Sequence, residues 1–192
     1  MLKSFNSIRL MSIVFIATLV TNGFIIKDAL AGVGDSPLVT KQKWSNTKVT
    51  YDLGSDLSRG FKNAVDHAGV MVWNGVSSLE FEYSGTSFND WGMRELDNPA
   101  VTQIYSTDNK IIEVNTYFNE LEQWNTAILA DPDPDELDAL TVAIHEFGHW
   151  FRLRDTYDDM YSDAMMYGYI DYGEKKVKLS YEDIDAAQTM YP

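Results

Sequence analysis

The chain has 192 residues, no cysteine, 15 lysines and arginines against 29 aspartates and glutamates, and a net charge of −14. That length suits one domain with a real core, and a hydrophobic content of 45% excludes a wholly disordered chain. The acidic balance argues against nucleic acid or an anionic membrane as partner, and the lack of thiols excludes disulfides, Cys nucleophiles and Cys metal ligands.

Residues 1–31 read as a secretory signal peptide. Lys3 and Arg9 give a positive start, Leu10 to Val20 is almost unbroken apolar sequence, and Ala29-Leu30-Ala31 offers a small-x-small cleavage site. The alternative is an uncleaved membrane anchor. Leu10 to Ile26 is 17 residues long, at the lower edge of the roughly 17–25 needed to span a bilayer, and Thr21, Asn22 and Gly23 interrupt it. Cleavage would leave 12 basic against 28 acidic side chains, a net charge of −16. The mature chain is expected to be extracellular and monomeric, with no membrane association. Its carboxylates suit calcium, but their number assigns no calcium site.

Residues 32–43 read as a flexible lead-in and 44–192 as one domain. Val49, Tyr51 and Leu53 alternate as in a half-buried strand. After the Gly54-Ser55-Asp56 turn, where Ser55 or Asp56 can cap, Phe61, Val65, Ala68 and Val72 recur at helical spacing as far as Gly75. Leu79, Phe81 and Tyr83 form a second strand, and the polar stretch with Gly85, Gly92 and Pro99 reads as surface loop. Strands follow at Thr102–Ser106 and Ile111–Phe118, the latter with Ile112, Val114, Thr116 and Phe118 on one face. A helix is expected from Glu136 to Phe151, capped by Asp135. A last helix starts at the N-cap Ser180, with Asp183 three residues on and Ile184, Ala187 and Tyr191 facing inward. This order indicates an α+β domain.

The central helix carries His145-Glu146-Phe147-Gly148-His149. Residues four apart stack on one helix face, so both imidazoles can reach one ion. Zinc suits two neutral imidazoles and a third protein ligand, leaving a position open for water. Glu146 stands where it can take a proton from that water and deliver it to a leaving amine. Ala143, Ile144 and Phe147 make this a core helix rather than a solvated one.

His145-Glu146-x-x-His149-x-x-Arg152-x-x-Asp155 resembles the extended metzincin motif, in which a turn carries the chain to a third zinc ligand. Ala164-Met165-Met166-Tyr167 resembles the Met-turn of that clan. Within the clan the chain is most similar to the matrixins, the matrix-metalloproteinase-like peptidases. Trp44, Val49-Thr50-Tyr51, Val72-Trp73, Tyr117 to Trp124 and Leu179 to Tyr191 carry this resemblance across residues 44–192. It implies a metzincin-like domain, a mixed twisted sheet with an active-site helix and a C-terminal helix. It further implies one zinc held by His145, His149 and Asp155, Glu146 as acid/base, Met166 beneath the metal, and Gly168-Tyr169-Ile170 along the pocket for the residue after the scissile bond. Protein or peptide is the implied substrate.

The chain departs from the matrixin pattern at several points. Asp155 stands where matrixins have a third His, with Asp158 or Asp159 as alternatives should the turn differ. Arg152 replaces the Gly of the turn, at a cost of roughly 1–2 kcal/mol if left-handed. The histidines of a second, structural zinc are absent, as is a cysteine-bearing pro-segment. A snapalysin-like peptidase, suggested by the aspartate ligand, and a catalytically dead zinc-binding domain are the competing readings.

Overall fold

The computed structural model describes residues 38–192 in full. Before them it describes only the backbone of three short strands, β1 (Ile13–Val14), β2 (Ile16–Thr21) and β3 (Phe24–Lys27). The rest of the expected signal peptide, its cleavage point and residues 32–37 lie outside the described residues.

The chain continues through β4 (Lys43–Trp44), β5 (Lys48–Leu53), α1 (Arg59–Asp66), a π-helical extension (His67–Trp73), β6 (Glu80–Tyr83), β7 (Asp90–Arg94), β8 (Ala100–Thr107) and β9 (Lys110–Asn119). A parallel bridge of β10 (Trp124–Asn125) with β11 (Leu137–Asp138) then leads into α2 (Ala139–Trp150), followed by β12 (Tyr169–Ile170) and α3 (Tyr181–Met190). The main sheet has the order β3-β2-β8-β9-β7-β5-β6, with β4 beside β9. β9, β7, β5 and β6 run parallel, whereas β8 is antiparallel to β9. This is the mixed sheet with an active-site helix and a C-terminal helix that the sequence implied.

α2 is buried along its whole length. Phe147 and Trp150 meet Trp91, Tyr51 and Phe81 from the sheet at ring-centroid distances of 4.8–6.4 Å. Aromatic faces of this size dominate the burial that holds helix to sheet. Glycine is needed at 148 because a Cβ there would overlap the Met166 sulfur.

Several expectations need correction. The stretch around Gly92 is not all surface loop: residues 90–94 form a strand whose Trp91 is fully buried between α2 and Phe118. Helix α1 is capped by Ser58, while Asp56 accepts from the Met93 amide at 2.8 Å. Helix α2 starts at Ala139 under an Asp138 cap, not an Asp135 one, because 137–138 are extended in the β10–β11 bridge. Ile112 is exposed and Ile111 buried, since the β8–β9 register shifts at Tyr105/Ser106 and a bulge turns the extra residue out. The inward row of α3 is Asp183, Ala186, Ala187 and Met190, with Ile184 only half-buried. Finally, residues 38–42 of the expected lead-in are docked: Leu38 is buried and its carbonyl accepts from Arg154 N at 2.7 Å.

Candidate active site

His145, Glu146 and His149 sit on the C-terminal half of α2, each at most 1% exposed. His145 Nδ1 lies 2.8 Å from the Met165 carbonyl and His149 Nδ1 2.9 Å from that of Leu153. A carbonyl only accepts, so both rings donate from Nδ1 and turn Nε2 toward Asp155. The two rings stand edge to face, 4.9 Å apart.

The turn that follows brings Asp155 to them. Leu153 N donates to Gly148 O at 3.0 Å and Arg152 N to His149 O at 2.8 Å, the paired bonds of a Schellman ending. That ending requires a left-handed residue, and Arg152 supplies it at φ 69°. The next strand of chain is then aligned by Thr156 N to Met166 O and Gly168 N to Thr156 O, both 2.9 Å. Asp155 Oδ1 thereby comes to 3.0 Å from His145 Nε2 and 3.4 Å from His149 Nε2. Ligand atoms on a tetrahedral zinc at roughly 2.0–2.2 Å stand about 3.4 Å apart, so this donor set fits the ion.

Glu146 also lies close: its carboxylate and the two histidines place ligand atoms within 4.8 Å of one another. Its Oε2, however, accepts from Thr102 Oγ1 at 2.5 Å on the sheet side, whereas Asp155 Oδ1 faces both imidazoles. The geometry therefore favours Asp155 as third ligand and leaves Glu146 beside the metal position. Asp158 and Asp159 are exposed and otherwise engaged, Asp158 with the Met160 amide and Asp159 with the Tyr167 hydroxyl.

Burial presses the His149 ring toward neutrality, but the Asp155 carboxylate outweighs it and lifts the ring to about 9. Burial likewise opposes ionisation of Asp155, yet the paired imidazoles hold it well below the usual carboxylate range. Glu146, completely buried, is pushed up, against the pull of His149, His145 and Thr102.

Met166 is fully buried with its sulfur against Gly148, and Met165, also buried, meets His145 through its carbonyl. The two are fixed by one carboxylate that the sequence reading used only as a helix cap. Asp183 accepts from Met165 N at 2.7 Å and Met166 N at 3.1 Å while completing the capping box with Ser180. Thr102 and Thr116 were missed as well. Their signal was available: each is a polar residue in an inward row of apolar ones, between Ala100 and Ile104 on β8 and between Val114 and Phe118 on β9. Of the expected Gly168-Tyr169-Ile170 wall, Tyr169 and Ile170 line a pocket beside His145 with Tyr167, Glu174 and Lys176, whereas Gly168 does not border it.

The matrixin family model matches residues 43–192. Matrix metalloproteinase-16 of Rattus norvegicus, Mus musculus and Homo sapiens is 25% identical over 182 residues, covering 80% of this chain. The chain spans 28% of the length of those relatives. Among solved structures, that of myroilysin covers 93% of this chain and is itself 91% covered, at 13% identity and a TM-score of 0.43. With three quarters of its length matched by one family model, and with that family's metal-binding motif folded into a single buried cluster, the chain belongs to the matrixin family of zinc peptidases.

Proposed function

We propose that the protein is a secreted zinc-dependent endopeptidase that acts as a monomer on protein or peptide substrates. One observation carries the reading: Asp155 Oδ1 lies 3.0 Å from His145 Nε2 and 3.4 Å from His149 Nε2, and the Glu146 carboxylate stands within 4.8 Å of both rings' ligand atoms. Secretion is supported by the charged start, apolar run and Ala29-Leu30-Ala31 of the leader.

A zinc ion held by His145, His149 and Asp155 would polarise the scissile carbonyl and acidify a water molecule. Glu146 would receive that water's proton on a carboxylate oxygen and pass it to the leaving amine. The carbonyls of Met165 and Leu153 keep both imidazoles in the tautomer that ligation needs. Residues 16–20 of β2 pair with the outer edge of β8. Loss of residues 1–31 would free that edge for an extended substrate, recognised by main-chain hydrogen bonds.

The test compares zinc content and casein hydrolysis of the mature protein with those of Glu146→Ala. One zinc in each and hydrolysis by the parent alone is the expected result. Zinc in both with hydrolysis by neither would favour the non-catalytic reading.

A further inference from the structure

The buried polar groups between α2 and the sheet form a single directed chain of hydrogen bonds. Trp150 Nε1 lies 2.9 Å from Thr116 Oγ1, which lies 2.7 Å from Thr102 Oγ1, which lies 2.5 Å from Glu146 Oε2. An indole N–H can only donate, the Thr102 hydroxyl donates to Glu146 Oε2, and each hydroxyl has one proton to give. The two ends therefore fix the direction: Trp150 donates to Thr116, Thr116 to Thr102, and Thr102 to Glu146.

All four residues are fully buried. Trp150 and Glu146 are four apart on α2 and share a face. Thr102 and Thr116 are direct partners in the β8–β9 register. Helix and sheet thus close one loop, with the helix supplying both ends and the sheet the middle. Only Oε2 is engaged; Glu146 Oε1 is buried without a hydrogen-bond partner.

We infer that Thr102 and Thr116, oriented by Trp150, are positioning residues for Glu146: they clamp one carboxylate oxygen so that the other is presented to the reacting water. This inference rests on the peptidase reading and adds to it the residues that hold its acid/base. Simple core filling would need none of the polarity, since valine matches threonine in shape. A linked row of buried hydrogen bonds in a low-dielectric interior instead rigidifies its members.

The experiment uses the zinc-loaded mature protein and the variants Thr102→Val, Thr102→Ser and Thr116→Val, each checked for zinc content and thermal midpoint. Thr102→Val is expected to lower kcat about tenfold or more, within the range that a positioned acid/base contributes, with KM and zinc content unchanged. Thr102→Ser restores most of the loss, and Thr116→Val breaks the chain one step from Glu146 with a smaller drop. In a Glu146→Gln background Thr102→Val adds no further loss. Independently of turnover, the Trp150 indole NMR resonance shifts in Thr102→Val. An unchanged kcat in both valine variants overturns the inference, as does a loss confined to KM or zinc content, or a serine variant as poor as the valine one. A zinc-loaded parent that cleaves nothing overturns the peptidase reading itself, and this inference with it.

Discussion

Arg152 Nε donates to Gln42 Oε1 at 2.6 Å, and Gln42 Nε2 in turn donates to Ser106 Oγ at 2.8 Å. The residue with the left-handed backbone on which Asp155 depends is thereby tied to the segment before β4 and to the end of β8. An arginine here bears a conformational cost that glycine would avoid, and its buried side chain offsets that cost through such contacts. Gln42→Ala is expected to destabilise the domain by about 1–3 kcal/mol, the usual penalty for removing one partner of a buried polar group. It should also weaken zinc retention, because the turn loosens ahead of Asp155. Thermal melts and competition with a chelator measure the two effects. An unaltered melt would show that Gln42 does not brace the turn.

Much of this site was legible because it is local. His145, Glu146 and His149 are placed by helix periodicity alone, and Asp155 by a turn that follows at once. What the sequence hid depends on distant partners. Gly92 and its polar neighbours suggest a loop, yet Trp91 makes β7 a strand because α2 and Phe118 enclose its ring. Asp135 and Asp138 are equally good caps by composition. The pairing of Trp124 with Leu137 decides for Asp138 by keeping 137–138 extended. Ile111 and Ile112 exchange places through a bulge that no pattern within β9 announces. The Thr102–Thr116 pair exists only once two strands are in register.

Asp155 supplies the sharpest test of the metal set. Asp155→Ala should lower zinc affinity at least about tenfold, since the two imidazoles would lose the carboxylate they share. Dialysis against buffered zinc followed by metal analysis gives the number. Affinity equal to the parent's would transfer the role to Asp158 or Asp159, which then would have to leave the Met160 amide or the Tyr167 hydroxyl.

Lys175 holds the start of the metal-binding helix. Its ammonium donates to Ala130 O at 2.6 Å, Ala127 O at 3.3 Å and Asp138 Oδ2 at 3.2 Å. Asp138, 1% exposed, caps α2 through Thr141 N at 2.7 Å. Lys175→Met would leave that carboxylate buried without its counter-ion, a change that costs roughly 3–5 kcal/mol when a buried pair is broken. The loop from 126 to 136 should then become the first site of limited proteolysis. A cleavage pattern and melting temperature matching the parent's would assign the lysine no such part.

Lys176 closes the pocket beside His145. That space, lined by Thr141, Met165, Tyr167, Tyr169, Ile170, Glu174 and Lys176, measures only about 10 Å³, roughly the room for one water molecule. Tyr167, Tyr169, Ile170, Glu174 and Lys176 also line a second pocket of about 300 Å³, so these shared side chains form the partition between the two spaces. The lysine is pinned across this partition by the carbonyls of Ser162 at 2.9 Å and Ala164 at 3.4 Å. A small side chain next to the scissile bond fits the inner space, whereas leucine or phenylalanine requires the partition to move. Peptides with Gly, Ala or Ser at that position should therefore be cleaved with kcat/KM at least about tenfold above their Leu counterparts, the low end of what a few misfitting methylenes cost. Lys176→Ala joins the two spaces and should erase the difference, while Lys176→Met, similar in bulk, should retain it. Equal cleavage of Ala and Leu peptides by the parent would mean that the partition yields to substrate, and that Lys176 does not set the preference.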